Sequence, residues 1–181
     1  MEGWGNLSEH SKASTRVDWI KRLGWDFNQL EDLRFVGYHY IRQGQYHIAK
    51  TFFEALVALS ADQPLENQLA YDYETLGGIY LQMGDCARAL RYLERAYTMQ
   101  PENGRILLNK AKALIALSRP LEGLAIALEL TQKKDPILRD RAQALILSQE
   151  LVGIKLPEKT PAASGIVNVD RAIEGAFKTG G

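Results

Sequence analysis

Between residues 70 and 103, large, small and aromatic side chains fall at Tyr73, Leu76, Gly77, Tyr80, Gly84, Ala89, Leu93, Ala96 and Pro101, and this spacing returns twice elsewhere in the chain. A spacing that recurs settles the architecture before composition does, because every copy has the same face to bury and its neighbour offers the surface to bury it on. The intervals of three and four residues on each side of Gly84 are helical, so one copy is a pair of helices joined by a turn. Upstream, Leu33, Val36, Gly37, Tyr40, Gly44, Ala49, Phe53 and Leu56 repeat it in a unit from 30 to 63. The last signature place of that unit holds Ala61, and residues 64–69 form an insertion that sets the two units 40 residues apart rather than 34. Downstream, a unit from 104 to 137 carries Leu107, Ala111, Leu114, Gly123, Ala127 and Leu130, with Pro136 one place beyond the expected proline.

This pattern resembles the tetratricopeptide repeat. The resemblance implies an all-α fold: an α-solenoid of three helix-turn-helix units, with an N-terminal helix before them and a C-terminal capping helix after them. Its physical basis is close packing of two antiparallel helices, in which Gly37, Gly77, Ala49, Ala89 and Ala111 let backbones approach while Tyr40 and Tyr80 fill the space beside them.

Outside the repeats, Val17, Trp19, Ile20 and Leu23 recur at helical spacing after the capping candidates Ser14 and Thr15, and Gly24 can end that helix. Asp26 with Gln29, or Asn28 with Glu31, offers a capping box for the first repeat helix. Residues 138–152 predict a helix with Leu138, Ala142, Leu145 and Ile146 on one face, placed to cap the stack. The domain is thus expected over 15–152, with 1–14 as a flexible N-terminus. From Gly153 the residues Pro157, Pro161, Ala162, Ala163, Ser164 and Gly165 read as a linker, and 153–181 as linker and tail.

Composition excludes several functions. Lys plus Arg and Asp plus Glu both total 22, so no global field draws the chain to nucleic acid or to an anionic membrane. No apolar run approaches the roughly 20 residues that span a bilayer, so direct membrane insertion is not expected. The polar start from Met1 to His10 does not read as a signal peptide, and a cytoplasmic location is the expectation. His10, His39 and His47 are scattered, with no metal-ligand spacing among them. Gly77 and Gly78 stand at a helix contact, not in a phosphate loop, and no serine lies in a nucleophile motif. Cys86 falls at the turn inside its unit, where an incidental or structural thiol is the plainer reading. Neither an enzyme nor a cofactor is predicted.

What remains is a binding surface. In the resembling architecture the first helices of successive units line one concave face, through repeat positions that here hold Arg34, Tyr38, Ile41 and Arg42, then Tyr71, Glu74 and Leu81, then Leu108, Lys112 and Ile115. The implied groove has an apolar floor and mixed charges at its rim, suited to a client protein or peptide. The related clamps for chaperone C-termini use several Lys and Asn residues at places that here hold Tyr38, Thr75 and Arg105, so that specificity is not expected.

A narrower resemblance rests on Leu33-Arg34-Phe35-Val36-Gly37-Tyr38-His39-Tyr40, on Gly44-Gln45-Tyr46, and on Leu117-Ser118-Arg119-Pro120-Leu121-Glu122-Gly123. These segments resemble type III secretion translocator chaperones over about residues 17–150. That resemblance implies a non-enzymatic protein that docks a segment of a secreted client and forms a homodimer through its N-terminal helix. A scaffold or assembly factor of another complex is the alternative reading of the same repeats.

Overall fold

The computed structural model describes residues 18–61 and 68–154, and caps written into the sequence set where its helices begin. Helix α1 (Trp19–Leu23) starts on Asp18, whose side chain accepts from the Lys21 N–H, and stops at Gly24. Ser14, Thr15 and Val17 lie outside the described residues, so the cap of the described helix is Asp18 in place of the two expected hydroxyls. Of the two candidate capping boxes, the chain uses Asp26 with Gln29 to open α2 (Phe27–Arg42). The expectations for 1–14, for most of the insertion and for the segment beyond Ile154 also fall outside the described residues.

Seven further helices complete the described chain as α2, α3 (Tyr46–Ser60), α4 (Ala70–Gln82), α5 (Cys86–Met99), α6 (Gly104–Ala116), α7 (Pro120–Leu130) and α8 (Pro136–Leu151), and no strand occurs among the described residues. Within each unit the first helix packs on the second, as α2 on α3, α4 on α5 and α6 on α7. Helices α3 with α4 and α5 with α6 join one unit to the next. The turns inside the units confirm the repeat register, since Gly44 and Gly84 take φ of 72° and 81° at equivalent places. The third unit puts Ser118 there, at φ 60°.

One core runs through all three units, from Ala49, Phe53 and Leu56 through Leu76, Tyr80 and Leu93 to Ala113 and Leu114. Tyr80 is buried, stacks on Tyr92 with ring centroids 5.5 Å apart, and donates its hydroxyl to Glu54 of the preceding unit. Helix α8 closes the described end of the stack against α6 and α7, burying Leu138 and Ala142 with Leu107, Leu108 and Leu130. Its Leu138 lies so near the start of α6 that a Cβ on Gly104 would overlap it. Among the described residues no helix is long and apolar enough to cross a membrane.

Candidate peptide-binding groove

The first helix of each unit shows one side to its partner helix and another to the first helices beside it. Along α2 the turn-by-turn spacing of Arg34, Tyr38 and Ile41 aims them toward α4, and the same geometry sets Tyr71, Glu74, Thr75 and Gly78 along α4. A cleft of about 490 Å³ opens over this face. Tyr38, Ile41, Tyr71, Glu74, Leu81 and Lys112 line it, together with Thr75, Gly78, Gln82, Arg105 and Asn109. Tyr38 and Tyr71 retain 49% and 40% of their accessible surface, a large aromatic area left uncovered by the described chain.

The remaining expected residues serve other purposes. Arg34 donates from Nε and Nη2 to the two carboxylate oxygens of Asp72 at 2.7 and 2.8 Å, and from Nη1 to Glu31 at 2.7 Å. This fork ties α2 to α4, and Asp72 is almost wholly buried beneath it. Arg42 is exposed at the end of α2 and does not line the cleft. Leu108, expected to open into the groove, is instead 3% exposed, because α8 covers that part of α6. Ile115 turns to α7, where a Cβ on Gly123 would meet its Cγ1 at 2.7 Å.

Tyr46 and Cys86 also line the cleft and stand outside the expected set, since that set was confined to first helices. Each opens the second helix of its unit two places after the turn glycine, so the repeat register contained the signal. Cys86 is a half-buried free thiol. Among the described residues no cluster of three or more His, Cys, Asp and Glu could hold a metal ion.

Glu74 sets the electrostatics of the floor. Its side chain is only 5% exposed, and Arg105 of α6 meets it at 3.0 Å, so a second ion pair ties α4 to α6 as Arg34 ties α2 to α4. Burial raises the Glu74 carboxyl above its ordinary value, and Arg105 offsets part of that rise. A carboxyl with a raised folded pKa holds its proton more tightly in the folded chain than in the unfolded one. Its contribution to stability is therefore full below the ordinary carboxylate range and is lost as pH rises through the raised value. Glu74→Gln removes that slope, so the unfolding free energy of the variant should gain on the parent between acid and neutral pH. Urea titrations at matched ionic strength measure the difference, and a variant that loses ground as pH rises would contradict the assignment.

Comparison with known proteins agrees with this geometry. Tetratricopeptide-repeat family models match residues 30–102 and 75–136. No curated protein matches the chain significantly. Among solved structures, the type III secretion translocator chaperone SycD of Yersinia enterocolitica is similar at a TM-score of 0.58 and 22% identity, over 71% of this chain and 96% of that one. PcrH of Pseudomonas aeruginosa, solved with the chaperone-binding region of PopD, gives 0.58 and 21%, over 72% and 98%. SycD with a peptide of the translocator YopD gives 0.57 and 21%, over 71% and 98%. At these identities the likeness is one of fold. The recurring helix pairs, the turn residues at equivalent places and the two family matches that together run from 30 to 136 make this chain a member of the tetratricopeptide-repeat family.

Proposed function

We propose that this chain binds a segment of a client protein in the cleft over α2, α4 and α6, and that it acts as a chaperone of a type III secretion translocator in the cytoplasm. The observation that carries the reading is the pair of half-exposed tyrosines, Tyr38 and Tyr71, at a cleft whose floor includes Ile41 and Leu81. Aromatic side chains of this kind give large contact area at small entropic cost, with a hydroxyl to fix direction. Lys112 and the exposed Arg105 supply charge along the same face, and they can select the orientation of the client. The relatives solved with segments of PopD and YopD support the choice of client class. Self-association belongs to the same reading, because Trp19 and Leu23 of α1 and Phe27 and Phe35 of α2 leave a large apolar area exposed.

The test begins with affinity capture from the native host and mass spectrometry, followed by hydrogen exchange on the captured pair. New protection along α2, α4 and α6, with a secreted protein as the bound partner, is the expected result. Protection confined to α3, α5 and α7 would overturn the site. Capture of a stable multi-subunit assembly without any exported protein would overturn the chaperone reading in favour of a scaffold.

A further inference from the structure

The three first helices do not furnish the cleft alike. At the ninth place of the successive units stand Tyr38, Gly78 and Lys112, and at the second place Glu31, Tyr71 and Arg105. The third unit thus has a cation at each of the two places that hold Tyr38 in the first unit and Tyr71 in the second. Gly78 leaves the middle of its row bare, with space around it, since a Cβ there would meet nothing within 4 Å. Arg105 and Lys112 both line the cleft, two helical turns and about 10 Å apart along α6.

The ion pairs divide the cleft in the same sense. Toward α2, Arg34 answers two carboxylates, Asp72 and Glu31, which leaves an anion in excess. Toward α6, Arg105 matches Glu74, and Lys112 is a further cation, exposed and without a hydrogen bond or ion pair among the described residues. Arg105 reaches Glu74 with Nη2 and still leaves 69% of its side chain open. A carboxylate brought to the α6 side therefore meets net attraction, and one brought to the α2 side meets net repulsion. The cleft does not end beside these cations. Cys86 and Ala116 belong both to it and to a second open depression of about 500 Å³ over the turn between α4 and α5. A segment lying over α6 has room to run on, so carboxylates that meet the cations are side chains within it and not a chain terminus.

We propose that the bound client segment is charged at one end: apolar or aromatic side chains lie over Tyr38 and Tyr71, and internal aspartate or glutamate side chains pair with Lys112 and Arg105. This rests on the groove reading above and adds to it the sign of the client's charge. The probe is a library of random peptides about twelve residues long, flanked on both sides by a carrier protein and selected on the full chain at low salt. Enriched sequences, made with amidated C-termini, should join apolar residues to acidic ones. Exchanging their acids for the matching amides should weaken binding at least about tenfold, and added salt should shrink that difference. Lys112→Glu should weaken the acidic peptides comparably and admit versions carrying lysine in place of the acids, with unfolding curves as the control for intact folding. Cys86, the chain's only cysteine, reports the place of binding, because a segment in the cleft should slow its alkylation. Enriched peptides that shield Cys86 and need both tyrosines, yet are neutral or basic or ignore Lys112→Glu, overturn the acidic preference and leave the groove standing. Peptides that leave Cys86 open and ignore Tyr38→Ala with Tyr71→Ala, or a library from which nothing is enriched, overturn the groove reading and the preference with it.

Discussion

Leucine in place of Gly77 should destabilise the chain by about 3 kcal/mol or more, the upper end of what overpacking costs. A Cβ at this position would stand 2.7 Å from Cγ of Leu93 and 3.3 Å from the Ala89 carbonyl oxygen. Leu93 is itself fully buried in the central core, so it has no free volume into which to move, and α4 and α5 would have to separate. The better helix propensity of leucine offsets only about 0.8 kcal/mol of this. Gly78, the next residue, is the control: a Cβ there meets nothing within 4 Å. Gly78→Ala should therefore leave stability unchanged or raise it by up to about 1 kcal/mol. Urea unfolding of both variants decides the matter, and equal small effects would mean that the repeat register is displaced.

The second large effect belongs to binding. Tyr38→Ala combined with Tyr71→Ala should weaken a micromolar client interaction at least about thirtyfold, because truncating an aromatic anchor at the centre of an interface typically costs ~2 kcal/mol. Each ring is half open in the free chain, so the folded state loses little of its own packing when the two are removed. Surface changes of this type usually alter stability by about 0.5 kcal/mol or less. Titration of the captured client into parent and double variant, with unfolding curves in parallel, separates the two quantities. Unchanged affinity in a folded double variant would move the client to another surface and remove the basis of the chaperone reading.

The repeat spacing made the helices, their pairing and their turns legible, because it records which side of each helix meets its own partner. Gly37, Gly77 and Gly123 are legible for the same reason: each stands where a Cβ would overlap the paired helix. What one helix meets beyond its own unit is not written in that spacing. Leu108 has the pattern of a groove residue and loses that role because α8 arrives from outside the repeat. Arg34 and Glu74 have the charges of client-contacting residues, yet their partners Asp72 and Arg105 come from neighbouring units, 38 and 31 positions away in the chain. An ion pair at such separation leaves no periodic trace. Tyr46 and Cys86 show the converse case, in which the register does contain the position, at the start of a second helix two places after the turn glycine.

Ser118 sets the turn of the third unit apart from the other two. Where the first two units turn on glycine, the third holds a side chain in the left-handed region, at a cost of about 1–2 kcal/mol that the other turns avoid. In a stack whose units touch only their neighbours, such a cost stays local to the turn between α6 and α7. Lys112 and Asn109 stand on α6, whereas Tyr38 and Tyr71 stand on the two glycine-turned units. A strained turn thus falls on the unit that carries the cationic side of the cleft and not on the two that carry the tyrosines.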